Sequence, residues 1–196
     1  MSGAVAGSAP EQMDLGEIVE RVHRSVDEVD FSAEIERFEL GSHHPAVMRT
    51  RVPYKYRSAL VKLLGAKTVL EVGTKTGCGA LALAKYADRV LTCDITLDNV
   101  LDPRMFGERI AARRLAGPED CLGLAYPEFD FVFVDIDHQG TMERRIHQVL
   151  RSSYRGLVLF DDIDFNDAMR QFWAEVENEK AATPWHPPYG AGLVRY

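Results

Sequence analysis

The residues best suited to chemistry are acidic and lie in two short stretches, Asp135-Ile136-Asp137-His138 and Asp161-Asp162. Each closes an apolar run, Phe129-Asp130-Phe131-Val132-Phe133-Val134 and Gly156-Leu157-Val158-Leu159-Phe160, that reads as a buried strand. If the two strands are neighbours, Asp135 meets the Asp161-Asp162 pair. Carboxylates brought that close repel one another unless they are protonated or share a cation. A set made only of oxygen favours a hard ion, Mg2+ first, with Ca2+ or Mn2+ as alternatives. The expected metal ligands are therefore Asp135, Asp161 and Asp162. His138 is the expected proton acceptor, because an imidazole titrates near pH ~6.5. Asp137 is its rival. Plainer roles compete: Asp161, Asp162 or Asp164 could cap the helix that follows, and His138 could be a hydrogen-bonded surface residue.

A second group surrounds a glycine loop, Glu71-Val72-Gly73-Thr74-Lys75-Thr76-Gly77-Cys78-Gly79, between an apolar run and a helical stretch. Glycines let the backbone turn tightly and approach a ligand, and a helix start offers unsatisfied N–H groups to an anionic group. The loop lacks the spacing of the dinucleotide fingerprint and of the phosphate loop that ends in Gly-Lys-Ser/Thr. Asp94 closes the next apolar run. Polar groups thus arrive at one edge from four strands, and in an open α/β sheet that edge, beyond the carboxyl ends of the strands, is where ligands bind.

Val69-Leu70-Glu71-Val72-Gly73-Thr74-Lys75-Thr76-Gly77 resembles the first motif of class I S-adenosylmethionine-dependent methyltransferases. It is most similar to O-methyltransferases of the catechol and caffeoyl-coenzyme A type and to metal-dependent sugar O-methyltransferases of antibiotic pathways. The resemblance runs from about Thr68 to Asp162. It implies that Glu71, Gly73, Thr74, Gly77 and Asp135 line the cofactor, with Glu71 and Gly73 at its methionine part. It implies that Asp94 accepts from both ribose hydroxyls, which two carboxylate oxygens suit, and that Asp120, within Glu119-Asp120-Cys121, lies at the adenine. It places the metal at Asp135 and the Asp161-Asp162 pair. Catechol-type relatives usually carry a lysine near His138, whereas the sugar type has a histidine three residues after the first metal aspartate, as here. Relatives often have an aromatic residue and a serine where this chain has Cys78 and Gly79, so a hydroxyl contact to the cofactor's carboxylate is expected to be missing.

The chemistry implied is methyl transfer from S-adenosylmethionine to a hydroxyl of a small molecule. A hydroxyl is a poor nucleophile near neutral pH; coordination to Mg2+ or another divalent cation lowers its pKa and holds it in line with the sulfonium methyl. Two alternatives remain: a metal-independent N- or C-methyltransferase, in which the aspartates are caps, and a non-catalytic S-adenosylmethionine-binding module.

The elements that must position these residues follow from periodicity. Leu15, Ile18, Val19, Val22 and Val26 predict a helix from about Leu15 to Phe38, and a second runs from about Tyr54 to Leu64. At its start Tyr54, Lys55, Tyr56 and Arg57 either face the cofactor pocket or are solvated. Strands are expected at Thr68–Val72, Arg89–Asp94, weakly near Cys121-Leu122, at Phe129–Asp135, Gly156–Asp161 and Gly192–Tyr196. Helices are expected at Ala80–Tyr86, Arg104–Leu115, around Met142–Leu150 and from Phe165 to Val176, where Phe172 and Trp173 sit at core spacing. The alternation predicts an α/β fold: a doubly wound, Rossmann-like, mostly parallel sheet with N-terminal capping helices. Residues 1–10 read as a flexible tail and 11–196 as one methyltransferase domain, with a helical cap over 11–64 and a Rossmann-like core over 65–196.

Composition agrees with a globular chain of 196 residues, 46% hydrophobic and 27% charged. A net charge of −7 argues against a nucleic-acid surface. No apolar run approaches the ~20 residues that span a bilayer, and the first ten residues lack the features of a signal peptide. Cys78, Cys93 and Cys121 show no metal or disulfide spacing and read as reduced thiols of a cytoplasmic protein. His43-His44 reads as a solvated loop. Short connections between the strands fit an open site or one completed by a partner subunit, that is, a homo-oligomer.

Overall fold

The structure, a computed structural model, describes residues 13–40, 48, 53–183 and 189–196. Seven strands form one sheet: β1 (Thr68–Val72), β2 (Arg89–Asp94), β3 (Ile110–Arg114), β4 (Phe131–Val134), β5 (Leu157–Asp161), β6 (Lys180–Thr183) and β7 (Ala191–Arg195). Their spatial order is β3-β2-β1-β4-β5-β7-β6. The pairs β1–β2, β2–β3, β1–β4 and β4–β5 are parallel, and β7 runs antiparallel to both β5 and β6. This is the doubly wound α/β sheet that the sequence predicts, with the order reversing beside β1, between β1 and β4.

Strand side chains alternate between two cores. Val69, Val90, Phe131, Phe133, Leu157 and Leu159 pack with the helices α1 (Leu15–Ser25), α2 (Ser32–Arg37), α3 (Pro53–Leu64) and α4 (Cys78–Leu83). Leu70, Val72, Val132, Val134, Val158 and Phe160 face α5 (Thr141–Ser153) and α6 (Asp167–Glu175). Both faces being buried, the central strands are almost wholly apolar. The parity has a consequence for the site. Asp135 continues the series Phe131, Phe133, and Asp161 the series Leu157, Leu159, so both acids turn toward α3.

Three expectations are corrected, and one strand is added. The helix from Leu15 to Phe38 is two helices: a 3-10 turn at Val26–Glu28 ends the first, and Asp30 accepts from the backbone N–H and hydroxyl of Ser32 to start the second. The helix over Arg104–Leu115 is absent. A 3-10 turn at Pro103–Met105 precedes β3, whose Ile110-Ala111-Ala112-Arg113-Arg114 pairs along β2; pairing with a strand edge overrides a helix-prone composition. The weak strand near Cys121 is a 3-10 helix, Pro118–Gly123. β6 was not foreseen, because Lys-Ala-Ala-Thr carries neither β-branched density nor alternation. The tail 1–10 and His43-His44 lie outside the described residues. Among the described residues no helix is long and apolar enough to cross a membrane.

Candidate functional site

The glycine loop is held by side chains beneath it. Gly73 has φ +108°, and a Cβ there would lie 1.7 Å from the carbonyl oxygen of Asp135, so only glycine lets the ends of β1 and β4 come so close. One oxygen of Asp94, Oδ2, accepts from the backbone N–H of Thr74 and of Lys75, both at 2.9 Å, and its Oδ1 accepts from Thr96 N–H at 3.2 Å. Asp94 is therefore the anchor of the loop as well as the expected ribose contact, and its four lone-pair sites leave room for a further donor. Under the loop Thr74 and Thr92 share a hydrogen bond of 2.6 Å, and the Thr92 hydroxyl donates to Glu71 at 2.6 Å. Burial pushes the Glu71 carboxyl up to about 8.

A cleft of ≈380 Å3 opens beside this loop. It is lined by Val72, Gly73 and Asp94, by Leu115, Pro118 and Cys121, and by Asp135, Asp137 and His138. The expected adenine contact, Asp120, is exposed and accepts from Ala116 N–H at 2.8 Å; its neighbours Pro118 and Cys121 form the wall. Gly77, at φ +82°, packs under Val100 and Met105, and Thr74 is buried in its pair with Thr92. The cleft and the acid at the end of β2 suit a nucleoside-bearing cofactor such as S-adenosylmethionine.

The acidic cluster differs in membership from the sequence expectation. Asp135, His138 and Asp162 each bring one ligand atom within 4.8 Å of the others, a set that could hold a metal ion. His138 Nε2 lies 3.1 Å from Asp135 Oδ1 and 3.1 Å from Asp162 Oδ2. Its hydrogen bonds to Asp135 and then to Asp162 raise its pKa to about 10. Asp161 is not among them. Its Oδ2 lies 2.6 Å from Arg57 Nη2, with both side chains 7% exposed. Arg57 also reaches Asp135 Oδ2 at 3.5 Å, a long ion-pair contact. Burial opposes the charge of Arg57, and Asp161 and Asp135 outweigh it, so the guanidinium stays protonated. The result is a row of alternating charge: Asp161, Arg57, Asp135, His138, Asp162. Asp137 lines the cleft at an exposed position and accepts from Gln139 N–H at 3.3 Å, away from this row.

Two site residues sit in a backbone region that side chains seldom adopt, His138 at φ +58° and Asp162 at φ +53°. That bend turns Asp162 toward His138, whereas Asp161, still within the strand, points to α3. Supporting contacts hold the bend. The backbone N–H of His138 donates to Glu143 at 3.1 Å, and Asn166 Nδ2 donates to the His138 carbonyl at 2.8 Å while its Oδ1 caps α6 through Met169 N–H. Glu143 is 2% exposed, and burial raises its pKa. Next to His138 stands Phe165, ring centroids 5.5 Å apart and 46% exposed, itself 5.1 Å from Tyr189, 40% exposed. Sequence reasoning missed Glu143 and Asn166 and left Arg57 open. The Asn-x-x-Met spacing at the start of α6 was a readable cap signal for Asn166.

No family model and no curated protein matches the sequence. Solved structures match its fold. An O-methyltransferase of Streptomyces achromogenes involved in tomaymycin synthesis, in complex with S-adenosylmethionine, is 19% identical over 94% of this chain and 99% of its own, with a TM-score of 0.61. An S-adenosylhomocysteine-bound methyltransferase of Podospora anserina is 17% identical over 100% and 99%, with a TM-score of 0.60. An O-methyltransferase of Bacillus cereus with S-adenosylhomocysteine is 18% identical over 92% and 91%, with a TM-score of 0.53. The chain therefore has the fold of class I S-adenosylmethionine-dependent O-methyltransferases, on a mostly parallel seven-stranded sheet.

Proposed function

We propose that this chain is an S-adenosylmethionine-dependent methyltransferase that acts on a hydroxyl of a small molecule, with a divalent cation at Asp135 and Asp162. One observation carries the reading: a single cleft is lined both by Gly73 and Asp94 and by Asp135 and His138. A donor cofactor seated over the loop thus shares its space with the groups that would prepare the acceptor. The S-adenosylmethionine and S-adenosylhomocysteine carried by solved structures of the same fold support the cofactor.

The carboxylates of Asp135 and Asp162, which converge within 4.8 Å beside the His138 ring, fit a divalent cation. When bound, such an ion lowers the pKa of a coordinated hydroxyl. The remaining work belongs to the chain. Asp94 fixes the loop through Thr74 and Lys75. Asp135 and Asp162 hold His138 protonated through neutral pH while their charge is directed at its ring. With a cation held by these carboxylates the cause of that shift would weaken, and His138 would stand where it could accept the acceptor's proton. Phe165 and Tyr189 offer an exposed apolar surface on which the acceptor's body can rest beside His138.

A metal-independent reading has one observation in its favour: Arg57 and His138 already bring positive charge to the three carboxylates. The test is transfer of label from methyl-labelled S-adenosylmethionine to a panel of phenols and sugar hydroxyls. Transfer lost in EDTA and restored by Mg2+ or Mn2+ supports the cation reading. Transfer undiminished in EDTA supports the metal-independent one. Cofactor binding with no transfer to any hydroxyl contradicts the proposed activity.

A further inference from the structure

Asp161 and Asp162 are chemically identical and adjacent, yet only Asp162 meets His138. Asp161 is bound to Arg57 at 2.6 Å, and the guanidinium lies 3.9 Å over the ring centroid of Phe133 and 5.5 Å from that of Tyr54. Asp162 is 16% exposed in its side chain, Asp135 23% and His138 20%, against 7% for Arg57 and Asp161. Asp135 is divided between the two sides: Oδ2 lies toward Arg57 and Oδ1 toward His138.

We propose that Arg57 is a positioning residue that takes Asp161 out of the cation's donor set and turns Asp135 so that its Oδ1 alone serves the site. The inference rests on the cation reading given above. A guanidinium cannot shed its charge, so an ion reaches Asp161 Oδ2 only by displacing a buried, ring-stacked cation. The donors left are Asp135 Oδ1 and Asp162, beside the imidazole of His138.

Gly79 shows that the arrangement is built into this chain. A Cβ at that position would lie 2.1 Å from Glu71 Oε1 and 3.0 Å from Arg57 Nη1. A larger residue would push into the space that Glu71 and Arg57 fill. Gly79 and the inward arginine therefore belong together.

Mn2+ binding to the full chain, followed by loss of the free-ion EPR signal, tests this, with S-adenosylhomocysteine binding measured on the same samples. Asp161→Asn keeps an acceptor for Arg57 and should leave the Mn2+ Kd within about twofold of the original chain. Asp162→Asn should raise it by about tenfold or more. Arg57→Met removes the guanidinium beside Asp161 and with it a positive charge, so Mn2+ should bind about threefold tighter or more, and adding Asp161→Asn should cancel that gain. An arginine that merely holds the fold together predicts weaker binding in Arg57→Met. Equal weakening by Asp161→Asn and Asp162→Asn, or weaker binding in a folded Arg57→Met chain, overturns the assignment. If the original chain takes up no Mn2+ yet binds S-adenosylhomocysteine, the assignment falls with the cation reading while the cofactor reading stands.

Discussion

Asp161 and Asp162 are consecutive in the chain but serve opposite sides of one wall: Arg57 lies 2.6 Å from the first, His138 3.1 Å from the second. The strand's alternation places Asp161 among the buried residues under α3, and the left-handed turn at Asp162 brings its carboxylate to His138. Removing one partner of a buried pair leaves the other charge uncompensated. Arg57→Ala should therefore cost about 3–5 kcal/mol of stability, whereas Asp162→Asn should cost about 1 kcal/mol or less. Urea denaturation of the two variants checks the difference.

Glu71 makes stability depend on pH. Burial raises its pKa from 4.5 to about 8, so between those values the folded chain keeps a proton that the unfolded chain releases. The folded state then binds more protons than the unfolded one, and stability falls as pH rises through that window and levels off above it. Glu71→Gln should remove this contribution. Denaturation midpoints at several pH values should show a shallower decline in the variant, with its advantage over the original chain growing up to pH ~8.

Asp94 should matter more to the cofactor than to the fold. It accepts from two loop amides and is the expected partner of the ribose hydroxyls. A hydrogen bond to a charged group contributes ~1.5–3 kcal/mol, so Asp94→Asn should raise the S-adenosylhomocysteine Kd by roughly 10–100-fold. Calorimetric titration reads the change, and circular dichroism should show the fold retained.

Gly73→Ala should act through the backbone. Its added Cβ would fall 1.7 Å from the Asp135 carbonyl oxygen, and residues other than glycine strain at φ +108°. Overpacking of this kind costs on the order of 3 kcal/mol, enough to lower the melting temperature by several degrees in a differential scanning experiment.

The exposed Phe165 ring, 5.5 Å from His138, should govern the acceptor rather than the donor. Phe165→Ala is expected to raise the acceptor KM, with S-adenosylhomocysteine affinity within about twofold of the original. A fall in cofactor affinity of the same size as the rise in KM would place the ring elsewhere in the reaction.

The sequence made the central strands plain because both their faces are buried, and runs such as Phe131–Val134 and Leu157–Phe160 have no other stable home. The edges were hidden. β3 reads Ile-Ala-Ala-Arg-Arg and β6 Lys-Ala-Ala-Thr, compositions that become strands only because a neighbouring edge is there to pair with them. At the site, the convergence of Asp94, Asp135 and Asp162 on the carboxyl edge of the sheet followed from the alternation of strands and helices. The diversion of Asp161 did not, because it needs two facts at once: the parity of β5 and the inward turn of an arginine from α3. His138 was readable as a titrating group, but the side of the bend on which it lies depends on a positive φ that histidine and aspartate tolerate and no pattern announces.

The central claim is that the cleft between Asp94 and His138 receives a sulfonium donor. Isothermal titration of the full chain with S-adenosylmethionine and S-adenosylhomocysteine tests it most directly. One site per chain for each ligand, weakened by Asp94→Asn, is the predicted result; no heat with either ligand, and no shift in melting temperature at millimolar concentration, would contradict it.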